Sequence, residues 1–120
     1  MSMMPVEIDV ETRTRAAVVS FTTKQLTHLE MDEVCVELME RVRLHNTRHF
    51  VLDFSEVEFL ASACVGALVA FLQDLEPMHG RVMLANCRPE VAFIFKVTRL
   101  DNIFPIFDDV SDAIEELEGL

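Results

Sequence analysis

The stretch HFVLDFSEVEFLASACVGALVAFLQDL, residues 49–75, decides the fold of this 120-residue chain. Its first part contains Phe50-Val51-Leu52, a short continuous apolar run of the kind found in strands that are buried on both faces. We therefore predict a strand in the centre of a sheet. The part from Ser62 to Leu75 is apolar almost all round and ends before Pro77 and Gly80. It predicts a helix packed between the sheet and other helices.

The flanking sequence alternates between strand-like and helix-like segments. Upstream, two strands are predicted at residues 6–11 and from Ala16 to Thr22, joined by a polar turn. Apolar residues at three- and four-residue steps, beginning with Leu29, predict an amphipathic helix from His28 to Leu44. Downstream, we predict a strand, a helix opened by Pro89, a short edge strand interrupted by a proline, and a final helix. Their bounds are Arg81 to Ala85, Glu90 to Val97, Ile103 to Phe107 and Asp109 to Glu118.

The resulting order is β-β-α-β-α-β-α-β-α, without an internal repeat or a linker. Alternating strands and helices joined by short turns imply right-handed crossovers and parallel strand pairs. We expect an α/β fold with one mixed sheet of four or five strands and about four packed helices. A hydrophobic content of 51% is sufficient for one continuous core, so residues 1–120 are expected to form a single domain.

The charge balance limits the partners of this chain. It carries 21 Asp and Glu against ten Lys and Arg, for a formal net charge of −11. Such a chain is repelled by phosphate backbones and anionic lipid surfaces, which argues against nucleic-acid and membrane partners. Seven of the acids lie in the last twenty residues, where there is no Lys or Arg. Charge runs usually form a solvated face, and a docking site for a basic partner is the alternative.

The sequence carries no pattern for membrane insertion or export. The longest apolar stretch, Ala61 to Leu72, is only a dozen residues, well short of the roughly 20 residues of a spanning helix. The first residues lack the basic region and apolar run of a signal peptide. We therefore expect a cytoplasmic protein.

Patterns for cofactors, metals and catalysis are missing as well. The three cysteines form no CxxC pair and the four histidines are scattered, which disfavours a disulfide framework and a metal site. No glycine loop for phosphates is present. The one acidic cluster beside a strand end, Asp53, Glu56 and Glu58, would need a converging pocket for acid–base chemistry. We expect no cofactor, no metal and no catalytic residue, and hence a protein that is not an enzyme.

Ser62 stands where a loop ends and the very apolar helix begins. A serine there can cap the helix by accepting a bond from a backbone N–H two or three residues on. The same place suits a phosphate, because backbone donors and the positive end of the helix dipole favour negative charge. Phosphorylation would add about −1.5 to −2 charges and so could abolish docking of a partner on this turn. The residues alone leave both interpretations open.

The segment from His49 to Phe107 resembles the core of STAS domains, the anti-sigma factor antagonists of bacterial partner-switching systems. The spaced elements agree in order with those of the family. They are a hydrophobic strand followed by Asp53, Val57-x-Phe59, the serine at a helix start, Gly66-x-Leu68, Gly80-Arg81 before a strand, Pro89-Glu90-Val91, and Thr98-x-Leu100-x-x-Ile103.

In antagonists of this family the switch motif resembles Asp-Ser-Ser/Thr-Gly-Leu-Gly, and its first serine is phosphorylated by the partner kinase. The resemblance places that serine on Ser62 and implies partner-binding residues at Ala61, Ser62, Ala63, Cys64 and Gly66. The motif is divergent in this chain. Ala61 replaces the aspartate, Ala63 the second hydroxyl residue and Cys64 the first glycine. We expect Cys64 to add bulk where the backbone of the partner would approach.

The resemblance implies an anti-sigma factor antagonist. With Ser62 unmodified, it would dock onto an anti-sigma factor that is a serine kinase of the histidine-kinase-like ATPase type, and so release the sigma factor. Ala61, Ala63 and Cys64 favour an alternative, a non-phosphorylated scaffold that associates with itself or with sensory proteins. A third interpretation is a small-ligand sensor, because ligands of α/β folds bind at the carboxyl ends of strands.

Two arginines that follow this motif could contact a phosphate. Arg88 and Arg99 lie at the two ends of the third helix and are candidates for holding a phosphate on Ser62.

Four phenylalanines are expected to serve core or edge packing, because apolar residues at helical or strand spacing are usually buried, and a groove for a partner is the alternative. They are Phe93, Phe95, Phe104 and Phe107.

Overall fold

The structure, a computed structural model, describes residues 8–12 and 16–119, with only the backbone described for 8–12. The elements in chain order are β1 (Ile8–Thr12), β2 (Ala16–Phe21), β3 (Gln25–Leu26), α1 (His28–His45), β4 (His49–Asp53), β5 (Phe59–Leu60), α2 (Ser62–Leu75), β6 (Arg81–Ala85), α3 (Pro89–Val97), β7 (Ile106–Phe107) and α4 (Val110–Glu118). Short 3₁₀ turns follow α2 and α3 at Glu76–Met78 and Leu100–Asn102.

Five strands form one mixed sheet in the order β1-β2-β4-β6-β7. The first pair is antiparallel, and the other neighbours run parallel. This arrangement confirms the predicted α/β fold, the central position of β4 and the edge position of β7. The connections from β2 to β4 and from β4 to β6 contain α1 and α2, as parallel neighbours require.

Alternation along the strands divides the core into two layers. Phe50 and Leu52 of β4 point to one face of the sheet, where they pack with residues of α1, α2 and α3. Val51 points to the other face, where α4 contributes Ala113 and Ile114. The central strand is therefore buried on both faces, as its unbroken apolar run predicted.

The inward stripe of α1 differs from the prediction at its first residue. The buried positions are Met31, Val34, Leu38 and Val42, whereas Leu29 is 71% exposed. At about 100° per residue, Leu29 lies about 160° around the helix from Met31, so it faces solvent. The prediction that Leu29 belongs to the buried stripe is wrong for this geometric reason.

The start of α1 is fixed by a capping box that the sequence prediction did not include. The Thr27 hydroxyl accepts a hydrogen bond from the Glu30 N–H, and the Glu30 carboxylate accepts one from the Thr27 N–H. Two backbone donors of the first turn are thereby satisfied.

The four phenylalanines divide into two groups. Phe95 and Phe104 are buried and pack edge to face with ring centroids 5.8 Å apart, and Phe107 is half-buried on the edge strand. These three confirm the predicted core or edge packing. Phe93 does not, because it is 64% exposed on the outer face of α3.

A second, two-stranded sheet was not predicted. β3 and β5 run parallel, with Gln25 opposite Phe59 and Leu26 opposite Leu60. Strands of two residues are too short to show an alternating pattern. Smaller differences concern the first strand, because Thr12 belongs to β1 rather than to the turn. Residues 6 and 7 of the predicted strand lie outside the described residues.

Gly80 allows the chain to turn from α2 into β6 and provides a test of this packing. A Cβ atom there would lie 2.4 Å from the Arg48 carbonyl oxygen and 2.8 Å from the Leu75 Cβ, whereas one at Gly66 would meet nothing within 4 Å. We expect Gly80→Ala to lower the free energy of unfolding by about 1–3 kcal/mol, because the backbone must shift. Urea denaturation measures the effect, with Gly66→Ala as the control. Equal stability of the two variants would contradict this account.

Candidate functional site

The helix α2 begins at Ser62, as predicted, but Ser62 is not its cap. The N-cap residue is Ala61, with extended backbone angles of φ −63° and ψ 138° and no side-chain capping hydrogen bond. Its methyl group has no oxygen with which to accept one. The capping interpretation of Ser62 is therefore wrong, since Ser62 already has helical geometry.

The Ser62 side chain is exposed at the first position of a 14-residue helix. The first turn of α2 carries no acidic side chain, so no carboxylate on this turn offsets the positive end of the helix dipole. The structure thus presents a hydroxyl to solvent at a place where backbone N–H groups and the dipole favour added negative charge.

The outward face of α2 next to Ser62 is made of small residues. Ala63, Gly66 and Ala70 are all exposed. Gly66 does not have a positive φ, and a Cβ atom there would meet open space. Neither the backbone nor the packing requires glycine, although glycine in a helix interior costs about 1 kcal/mol relative to alanine. Its structural effect is a flat surface one turn beyond Ser62.

Cys64 does not lie on this surface. Its side chain is 0% exposed and belongs to the core cluster with Leu68 and Phe71, and its thiol donates to the Leu26 carbonyl oxygen over 3.4 Å. The expectation that Cys64 adds bulk facing a partner is therefore wrong. The helical period turns Cys64 inward with Leu68, four residues on.

Backbone hydrogen bonds between β3 and the segment before α2 fix the position of the Ser62 turn. The Ala61 N–H donates to the Leu26 carbonyl oxygen over 3.0 Å, and the Glu58 and Phe59 N–H groups donate to the Lys24 carbonyl oxygen over 2.7 and 3.0 Å. The loop preceding Ser62 is thus bound along its length to residues 24–26. These partners could not be predicted from the sequence, since every residue has a backbone carbonyl group whatever its side chain.

The structure brings one of the two candidate arginines towards this segment. Arg88, the N-cap residue of α3, approaches the Glu58 carboxylate at 3.9 Å, with both side chains about half exposed. Arg99 follows the other end of α3, roughly 16 Å further along a helix with a rise of 1.5 Å per residue. Of the two, Arg88 thus lies beside the segment that leads to Ser62.

The acidic cluster predicted beside the strand end does not converge on a pocket. The Asp53 carboxylate accepts hydrogen bonds from the Ser55 N–H at 3.0 Å and the Asn86 amide at 3.1 Å, which connects the ends of β4 and β6. Glu58 faces Arg88, and Glu56 is exposed. These contacts indicate a structural role for Asp53.

A groove elsewhere contains part of the acidic C-terminal run. It lies at the sheet edge beside α4 and has a volume of about 410 Å³. Its lining residues are Ile106, Phe107, Asp108, Asp112, Glu115 and Glu116. The groove is formed by other elements than the Ser62 turn.

The family model described as "STAS domain" matches residues 7–113. The chain belongs to the STAS family. The resemblance carried by residues 49–107 is thereby confirmed, and the match includes the whole Ser62 turn.

Known STAS proteins are similar along most of this chain. The anti-sigma F factor antagonist of Paenibacillus polymyxa is 24% identical over 115 residues, which cover 96% of this chain and 97% of that protein. The solved structure of the anti-sigma factor antagonist SpoIIAA in its unphosphorylated form has a TM-score of 0.80 at 21% identity, covering 95% of this chain and 98% of that one. The phosphorylated form of the Bacillus cell fate determinant SpoIIAA has a TM-score of 0.70 at 19% identity, with 92% and 99% covered.

The described part of this STAS chain has neither a membrane-spanning helix nor a metal-binding cluster. Among the described residues, no helix has the length and apolar content to cross a bilayer. Within the same part of the chain, no three His, Cys, Asp or Glu side chains are grouped so that they could hold a metal ion.

Burial of the three thiols should make the stability of this STAS domain depend on pH. Burial raises the pKa of Cys64 from 9.0 to about 11, and those of Cys35 and Cys87 to about 12. Because the folded state holds these protons more tightly, the stability they contribute is present below pH 9 and is lost as the pH rises towards 11 and 12. Urea denaturation between pH 8 and 11 should show this fall.

Alkylation tests directly whether the three thiols are buried and protonated in the folded chain. At pH 8, iodoacetamide should leave the folded chain unlabelled and should label all three cysteines in urea, because the thiolate is the reactive form. Labelling of Cys64 at equal rates in both states would show that its side chain is not buried.

Proposed function

We propose that this STAS chain is an anti-sigma factor antagonist that docks its Ser62 turn and α2 onto a kinase-type anti-sigma factor, and that phosphorylation of Ser62 ends the docking. The observation that carries the proposal is the exposed hydroxyl at the first position of α2. Similarity to the anti-sigma F factor antagonist of Paenibacillus polymyxa over nearly the whole chain supports the antagonist role.

The reaction at Ser62 needs no catalytic residue or cofactor in this chain. The Ser62 oxygen attacks the γ-phosphorus of ATP held by the partner, the bond from that phosphorus to the bridging oxygen breaks, and ADP leaves. The hydroxyl proton passes to a base of the partner. The new phosphate, with a charge of about −1.5 to −2, is tolerated at the helix start because the dipole there is positive. The chain therefore remains folded after modification.

The phosphate changes the docking surface more than it changes the fold. Before modification the outward surface at Ser62, Ala63 and Gly66 is small and uncharged. Afterwards it carries a negatively charged phosphate whose hydration must be removed before a partner can approach. We infer that release of the partner follows from this cost. A cytoplasmic location follows from the proposed partner, and no nucleic-acid or membrane contact is involved.

The divergent motif leaves the non-phosphorylated scaffold as the alternative. Ala61 and Ala63 still lack the polar groups of the family motif, and Ala63 is exposed while Ala61 is half-buried. Cys64 no longer supports this alternative, because its side chain is buried. Self-association without any kinase partner would favour the scaffold, and sedimentation velocity of the purified chain measures it.

Phosphate transfer tests the proposal at Ser62. Incubation with ATP and each histidine-kinase-like anti-sigma factor of the source genome should add one phosphate to the intact mass with at least one kinase. Ser62→Ala should abolish this addition. Ser55→Ala is the matched control, since Ser55 is also an exposed serine in the preceding turn, and it should be phosphorylated like the wild type. Phosphate that persists in Ser62→Ala would refute the assignment.

Gly66 tests whether a partner approaches α2 closely. Gly66→Ala should raise the free energy of unfolding by about 0.5–1 kcal/mol, because glycine is unfavourable in a helix. The same variant should bind the anti-sigma factor roughly tenfold more weakly, because a methyl group separates closely packed surfaces. Isothermal titration calorimetry measures the affinity, with Gly119→Ala as the control outside α2. Unchanged affinity for Gly66→Ala would show that the partner does not contact this turn of α2.

A further inference from the structure

The outward face of α2 lacks large apolar side chains. It presents Ser62, Ala63, Gly66, Ala70 and Gln73, which are small or polar. A stable protein interface buries about 800 Å² on each partner, and its binding energy is concentrated in a few large, mostly aromatic or Arg, side chains. The α2 face can position a partner closely, but the anchoring side chains must come from neighbouring elements.

The strand β5 supplies one such side chain directly before Ser62. Phe59 is 57% exposed, while its neighbour Leu60 is buried in the core, because successive side chains of a strand point to opposite sides. Three trans peptide steps of 3.8 Å limit the distance between the Cα atoms of Phe59 and Ser62 to about 11 Å. Phe59 is therefore next to the candidate site.

The helix α3 supplies two more exposed apolar side chains. It packs against β5, and the contact between Arg88 and Glu58 connects its start to the residue before Phe59. Phe93 and Val97 are 64% and 63% exposed, and residues four apart on a helix are neighbours on its surface. The inner face of α3 is held by other residues of the core cluster, so these two side chains are not needed for packing.

We propose that Phe59, Phe93 and Val97 form an apolar anchor surface for the same anti-sigma factor that docks at Ser62. This inference rests on the proposed function. The partner would present an apolar pocket or groove beside its nucleotide site, and the half-exposed charges of Glu58 and Arg88 would lie at the rim of the contact. Single exposed apolar residues are common on proteins, but these three lie on two elements that pack against each other, and β5 directly precedes the reactive hydroxyl.

The chain offers a matched control on α1. Val36 is 67% exposed on the outer face of that helix, nearly the same as Val97. Truncation of this α1 side chain removes similar apolar surface on a helix other than α3. The pair Val97→Ala and Val36→Ala therefore separates a specific contact from a general loss of exposed apolar area.

The experiment measures the affinity of each variant for the histidine-kinase-like anti-sigma factor that binds the unmodified wild type, with ADP present. We expect Phe93→Ala and Phe59→Ala to weaken binding roughly tenfold to thirtyfold, as truncated anchors do, and Val97→Ala to weaken it severalfold. Val36→Ala should change the affinity less than twofold. Thermal melting, followed by circular dichroism, should show that all four variants remain folded.

The outcomes separate this inference from the function on which it rests. If the wild type binds none of these kinases, the proposed function fails and the anchor surface fails with it. If the wild type binds and Phe93→Ala and Phe59→Ala bind equally well, the anchor surface alone is wrong. If these variants instead abolish self-association of the chain and leave kinase binding unchanged, the surface contacts a second copy and the inference is also overturned.

Discussion

The position of the Ser62 turn depends on the pairing of two very short strands, β3 and β5. The Leu26 carbonyl oxygen accepts both the Ala61 N–H and the Cys64 thiol, so a single backbone oxygen holds the residues on both sides of Ser62. A two-residue strand pair contributes little stability by itself. Its contribution is positional, because the parallel register with Leu26 determines where the loop ends and the helix begins.

The two sides of α2 serve opposite requirements. The inner side is filled by Cys64, Leu68 and Phe71, which fix the helix against the sheet and against α1. The outer side is kept small, at the cost of a glycine that weakens the helix. Because a rigid inner side prevents the helix from adjusting, the partner contact that we propose would be made by a surface that is already flat. Preorganisation of this kind lowers the entropy lost on association.

The sequence predicted the large elements well because their signals are long. The run Phe50-Val51-Leu52 placed a strand at the sheet centre, and the apolar segment after Ser62 gave both ends of α2. The pairing of β3 with β5 depends on backbone groups, which all residues share, so residue types could not reveal it. The burial of Cys64 and the exposure of Phe93 could have been found from helical periodicity, since each follows from the angle to its buried neighbours. The docking surface that we propose could not be found in this way, because it depends on which elements lie side by side.

Among the described residues, one face of the sheet is covered by α4, which follows all the strands in chain order. During synthesis the N-terminal parts of a chain leave the ribosome first. Val18, Val51 and Met83 therefore emerge well before Ala113, which shields them in the finished protein. For that interval a nascent chain with a formed sheet exposes a continuous apolar surface, and such surfaces are targets for chaperones and sources of aggregation. The emergence of α4 therefore ends the interval in which neighbouring nascent chains on one polysome can associate through this apolar face.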